Sequence, residues 1–186
     1  GYRADIIARH FGAPRVPGMA TRCVVEDVQR GTAGAARFAA QHVSAPCCIV
    51  CNGDSLCPAA LAPLFDAAHA PGVDAVLLVS AVDDARDYGT VTVDGAGCVT
   101  GFLEKGAAAG AGLVNAGVYC ARTGWLRTLP DTCPLSFERD VFPHMACGTL
   151  RAVATTMPFL DIGVPERLAH AHAFMLRHLA PAPGPV

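Results

Sequence analysis

At 186 residues, 52% of them hydrophobic, the chain can bury a sizeable core and is most simply one domain. A formal net charge of −2, with fourteen basic residues scattered singly, leaves no basic stripe for a polynucleotide, so no nucleic-acid partner is expected. The longest apolar runs, such as Ala75 to Val82, are strand-sized rather than membrane-spanning, which predicts a soluble, cytoplasmic protein with no membrane partner.

Nine cysteines, an odd number, mostly interrupt apolar runs and read as reduced residues acting as small hydrophobes. Cys48-x-x-Cys51 with Cys57 lacks the second pair that would close a tetrahedral metal site. Lys105 is the only lysine, and Asn52 and Asn115 are the only asparagines, so these positions carry more information than usual.

In chain order, Tyr2 to Phe11 has a helical period ending at Gly12. A chain that starts inside a helix, with no initiator Met and no targeting segment, predicts an upstream part outside this sequence. Thr21 to Val25 reads as a short strand, and Gly31-Thr32-Ala33-Gly34-Ala35-Ala36 opens a helix running to about His42. Small residues at such an opening let backbone approach a planar ligand or phosphate, although most serve packing.

Cys47 to Cys51 is an uncharged run typical of a strand buried on both faces, and Asn52-Gly53-Asp54 is the loop leaving it. In open α/β sheets ligands bind beyond the carboxyl ends of the strands, so Asp54 is placed to hold a metal or substrate. An isolated N-G-D is more commonly an Asx-type turn, here capping a helix over Pro58 to His69. Val73 to Ser80 follows as a second apolar strand, and the βαβ rhythm predicts a doubly wound sheet.

Gly89 to Val93 and Cys98 to Phe102 alternate across Asp94-Gly95-Ala96-Gly97, a hairpin that begins an antiparallel insert and delivers Glu104-Lys105. The strand Gly112 to Tyr119 carries Asn115-Ala116-Gly117, and a polar Asn there needs a partner, either a ligand hydroxyl or a neighbouring loop. A helix is predicted from Pro134 to Met145. Phe159 to Gly163 then puts Asp161 on an apolar strand just before the last helix, which starts at Pro165-Glu166. Residues 180–186 read as a linker or frayed tail.

Gly31-Thr32-Ala33-Gly34-Ala35, Asn52-Gly53-Asp54, Tyr88-Gly89, Phe102-Leu103-Glu104-Lys105, Asn115-Ala116-Gly117-Val118-Tyr119 and Asp161-Ile162-Gly163-Val164-Pro165-Glu166 occur in the order and spacing of the sugar-1-phosphate nucleotidyltransferases. The resemblance runs from about Tyr2 to Ala173. Leu135 to Pro143 most resembles the D-glycero-D-manno-heptose-1-phosphate guanylyltransferases, with mannose-1-phosphate guanylyltransferases next.

The resemblance implies a Rossmann-like, doubly wound, mostly parallel sheet with an antiparallel hairpin insert, over residues 1–179. It also implies an enzyme in which a sugar 1-phosphate attacks the α-phosphate of a nucleoside triphosphate, releasing pyrophosphate and forming a sugar nucleotide for surface polysaccharide. Guanosine triphosphate and heptose or mannose 1-phosphate are the implied substrates, and the enzyme can be a homo-oligomer. Dense phosphate charge calls for Mg²⁺, with Asp54 and Asp161 as its carboxylates.

By the same resemblance Lys105 meets the sugar phosphate, and Glu104 and Asn115 bond the sugar. Ala116 falls in the same segment, Gly117 leaves room for the sugar ring, and Tyr88-Gly89 presents backbone to the pocket. Gly31 and Thr32 lie against the nucleobase, and Asn52 and Gly53 count among the substrate-binding residues. The sequence departs from the family at Arg30, where relatives usually carry Leu. The Gly-rich G-G-x-G-T-R loop that cradles the triphosphate is expected before Tyr2, so at least one βαβ unit, on the order of 30 residues, is expected upstream. Two alternatives remain at this stage. One is a regulatory relative that binds sugar phosphate without transfer, which would be expected to lose a metal carboxylate. The other is a nicotinamide oxidoreductase, although no G-x-G-x-x-G follows any strand.

Overall fold

The computed structural model describes residues 1–13, 16–86, 88–103 and 110–179. Its strands are β1 (Cys47–Cys51), β2 (Ser55–Leu56), β3 (Ala75–Val82), β4 (Thr90–Val93), β5 (Val99–Leu103), β6 (Gly112–Arg122), β7 (Leu150–Thr155) and β8 (Leu160–Asp161). The α-helices are α1 (Ala4–His10), α2 (Gly31–Ala40), α3 (Ala62–Ala68), α4 (Thr123–Thr128) and α5 (Pro165–His178).

The apolar run of β3 organises both layers of the core. Ala75 through Ser80 are all buried, and alternation sends successive side chains to opposite faces of the sheet. Ala75, Leu77 and Val79 pack with Ala33, Ala36 and Ala40 of α2 and with Phe137. Val76 and Leu78 pack with Leu64 and Ala68 of α3. Each fully buried Val or Leu is worth about 1.5–3 kcal/mol over exposure, so β3 anchors helices on both faces. This is the doubly wound α/β arrangement.

β7 runs parallel to β3, whereas β6 pairs antiparallel with β3 on one side and with β1 on the other. β1, β3 and β7 therefore point the same way, as their helical crossovers require, but β6 lies between β1 and β3. The hairpin β4–β5 joins the sheet through the pair Thr90–Val114, so the antiparallel insert ends by sending β6 into the middle of the sheet. β2 and β8 form a separate two-stranded ribbon, with Ser55 opposite Asp161.

Several local expectations change. Thr21 to Val25 has no strand partner among the described residues and is irregular. The helix expected from Pro58 starts only at α3, because Pro63 fits its first turn. The segment after Pro134 forms one wide turn, Phe137–Val141, and a tight one, Phe142–His144. β7 was not anticipated, since Leu-Arg-Ala-Val-Ala-Thr carries too weak an alternation. No described helix is long and apolar enough to cross a membrane. All nine cysteines are free thiols, and burial pushes the Cys120 thiol up to about 11. The tail at 180–186 lies outside the described residues.

Candidate active site

At the carboxyl end of β1 the chain turns through Asn52-Gly53-Asp54 into β2, which pairs with β8 and so brings Asp54 to Asp161. The Ile162 N–H donates to the Asp54 carbonyl at 2.7 Å, closing the ribbon. Gly163 is the small residue between the two carboxylates. A Cβ there would stand 3.1 Å from Asp161 Oδ1 and 3.3 Å from Asp54 Oδ2. Asp161 Oδ1 accepts from the Gly163 N–H at 2.8 Å, and its Oδ2 pairs with Arg167 at 2.6 Å. The exposed Asp54 carboxylate has no donor among the described residues. An Asx-type cap is thus not what Asp54 does.

Two adjoining cavities meet at this pair, and a third continues from the second. One of about 570 Å³ runs between Thr32, Ala35, Ala36 and Ala39 of α2 and the turn Asn52-Gly53-Asp54. A second, about 320 Å³, shares Asn52 and Asp54 with the first and adds Tyr88, Asn115, Glu138 and Asp161. A third, about 480 Å³, continues past Gly89, Asn115 and Glu138 to Phe102, Arg139 and Pro143. Tyr88 is held edge-on against Phe159, with ring centroids 5.7 Å apart.

The polar floor of the site is a network that the sequence reading missed. Glu138 accepts hydrogen bonds from Tyr119 at 2.7 Å, Ser136 at 2.8 Å and Thr32 at 3.2 Å, and Thr32 Oγ1 accepts from the Phe137 N–H at 2.9 Å. Asn115 Nδ2 donates to the Tyr119 hydroxyl at 2.9 Å, and its Oδ1 accepts from the Gly117 N–H at 3.0 Å. The partner Asn115 needs is therefore inside the protein, while the residue still borders two cavities. Burial first, and then the neighbouring Glu138 carboxylate, push the Tyr119 phenol far above its ordinary value. Glu138 within the motif Leu135-Ser136-Phe137-Glu138-Arg139-Asp140 was the available signal for this network.

The glycines serve closer contacts than ligand clearance. Between the pairs Leu77–Tyr119 and Val79–Asn115, β6 uses four positions against two of β3, a bulge in which Gly117 has a φ of 69°. A Cβ on Gly117 would lie 2.8 Å from Ser55 Oγ and 2.9 Å from Asn52 Nδ2, so those side chains fill the space beside it. Ala116 points the other way, into the core under α3. Gly31, at φ 73°, lets the Leu135 backbone approach α2, and the Leu135 carbonyl accepts from the N–H groups of Ala33 and Gly34. Thr32, rather than Gly31, faces the first cavity. Arg30 turns to Asp27 at 2.6 Å and lies over the Phe38 ring, 4.4 Å from its centroid, and it holds the Asp27 carboxyl below the usual range. Glu104 and Lys105 lie outside the described residues.

A family model described as nucleotidyl transferase matches residues 2–178. The chain belongs to that family. It is similar to a mannose-1-phosphate guanylyltransferase of Mycobacterium tuberculosis, 29% identical over 185 residues, which cover 98% of this chain and 52% of the relative. It is also similar to a D-glycero-alpha-D-manno-heptose 1-phosphate guanylyltransferase of Aneurinibacillus thermoaerophilus, 27% identical over 89% of this chain and 71% of that one. Among solved structures, HddC from Yersinia pseudotuberculosis complexed with GMP-PN superposes with a TM-score of 0.80. It is 28% identical, and the match covers 91% of this chain and 73% of that one. The chain thus spans about half the length of the mycobacterial relative. In this chain the acidic pair and its cavities lie beyond the carboxyl end of β1.

Proposed function

We propose that this protein transfers a guanylyl group from guanosine triphosphate to a mannose- or heptose-type sugar 1-phosphate, releasing pyrophosphate. The observation that carries the reading is the convergence of Asp54 and Asp161 across Gly163, where the first cavity opens into the second. The names of the guanylyltransferase relatives support the base and the sugar class.

In this reading the first cavity takes the nucleoside against the alanine face of α2. The second and third take the sugar, whose hydroxyls meet Asn115 and Glu138. Glu138 is pinned by three donors, so its carboxylate is oriented before a sugar arrives, and preorganisation of that kind reduces the ordering cost of binding. The expected sugar contacts of Glu104 and Lys105 belong to the same reading.

The donor set suits Mg²⁺: two carboxylates converge, both oxygen donors, and Asp54 is free to coordinate. Asp54 and Asp161 would hold that ion, which when bound supplies charge neutralisation at the reacting phosphates. Asn115 and Glu138, which border the second and third cavities, would orient the sugar for in-line attack. No side chain need become a covalent nucleophile. A place in surface polysaccharide synthesis and a cytoplasmic location belong to the same proposal.

The test is pyrophosphate release with a panel of sugar 1-phosphates and nucleoside triphosphates in the presence of Mg²⁺. Release that depends on guanosine triphosphate and on one sugar class supports the reading. Sugar-phosphate binding without any release would assign the chain to a regulatory role instead.

A further inference from the structure

Arg167 breaks a local rule. It is the third residue of α5, where the helix presents the positive end of its dipole and acidic side chains are favoured. The rest of α5 obeys the rule, with Glu166 in the first turn and Arg177 and His178 in the last. A cation held against that field needs a compensating anion, and Asp161 Oδ2 supplies it at 2.6 Å. The pair is half-buried, with side-chain exposures of 34% and 29%, so solvent screens it only in part.

The consequence falls on the dicarboxylate. One Asp161 oxygen accepts from the Gly163 N–H and the other from Arg167, while Asp54 has no side-chain donor among the described residues. A divalent cation bridging Asp54 and Asp161 would share the Asp161 carboxylate with a guanidinium and sit beside its resident positive charge. We propose that Arg167 is the built-in counter-ion of this site: it neutralises Asp161 while no cation is bound and competes with a divalent cation for it. The inference rests on the proposed reading that Asp54 and Asp161 bind a cation. It makes the site weak for a bare cation and leaves the pair less self-repulsive when empty.

Mn²⁺ titrated into the protein without nucleotide, followed by electron paramagnetic resonance, tests this. Arg167→Gln keeps the length and removes the charge, and should bind Mn²⁺ about three- to tenfold more tightly at low ionic strength, an advantage that shrinks with added salt. Arg167→Lys should stay near the wild type. Asp54→Asn separates the two levels of the argument. If it binds Mn²⁺ as well as the wild type, or if neither wild type nor Arg167→Gln binds, the cation reading itself falls. If Asp54→Asn loses binding but Arg167→Gln is unchanged or weaker, only the counter-ion inference is overturned. A purely structural Arg167 would lower the unfolding midpoint of Arg167→Gln and leave Mn²⁺ affinity alone.

Discussion

Tyr119 donates its hydroxyl to Glu138 at 2.7 Å, tying the bulged strand β6 to the wide turn that follows Leu135. Its ring also packs against Phe137 and Phe142, with centroids 5.4 and 5.3 Å away, so the residue is both core and site floor.

Tyr119→Phe keeps the ring and removes the bond. We expect a loss of about 1–2 kcal/mol in urea unfolding, the typical cost of leaving buried partners unsatisfied, together with a raised KM for the sugar phosphate. The pH dependence has a definite sign. The folded phenol stays protonated above its ordinary value of 10.0, so the unfolded chain ionises first. This contribution is complete below about pH 10 and falls away as pH rises above it. Wild-type stability should therefore drop more steeply than that of Tyr119→Phe between about pH 9 and 11. Parallel slopes would show that the phenol titrates alike in both states.

Gly163→Ala places a methyl group against both carboxylates, 3.1 and 3.3 Å from their oxygens. Turnover should fall roughly ten- to a hundredfold, since displacements of about 1 Å at a reacting centre carry that cost. The melting temperature should stay within a few degrees of wild type, because Gly163 is exposed. Equal activity would mean that the two aspartates do not act together.

Asp54→Asn and Asp161→Asn should each cost several kcal/mol of transition-state stabilisation, read as kcat/KM from pyrophosphate release. The double variant should lose little more than either single one, because residues that hold one ion act as a unit. Additive losses would point to separate roles.

Lys105→Ala should weaken use of the sugar phosphate far more than that of the triphosphate, and Lys105→Arg should rescue it only partly, since a compact ammonium and a planar guanidinium meet phosphate differently. Equal losses for both substrates would assign Lys105 to the fold.

The sequence carried β1 and β3 as strands through their uncharged apolar runs, but the burial on both faces expected of Cys47–Cys51 is found only in β3: β1 is half-buried and its Cys51 exposed, since β6 is its one strand partner among the described residues. What it could not carry depends on partners distant in the chain. β6 as an antiparallel strand between β1 and β3 is a matter of pairing, which periodicity alone does not express. Glycines at 31 and 117 read as ligand clearance, whereas their neighbours turned out to be the Leu135 backbone and the Asn52 and Ser55 side chains. Glu138 lay in plain view within a motif, and only the fold brings Thr32, from more than 100 positions earlier, to the same carboxylate.

The ribbon that joins Asp54 to Asp161 has only two residue pairs, Ser55–Asp161 and Leu56–Leu160, and it closes a loop of more than 100 residues. Ladders that short open by local unfolding at far lower free energy than central strands. Long closures also form late, after the local and core contacts that shorten them. The Ile162 amide, bonded to the Asp54 carbonyl, is therefore a single-site reporter of assembly: its hydrogen exchange should be much faster than that of the amides in β3. Its protection should grow when substrate and cation clamp the two carboxylates together.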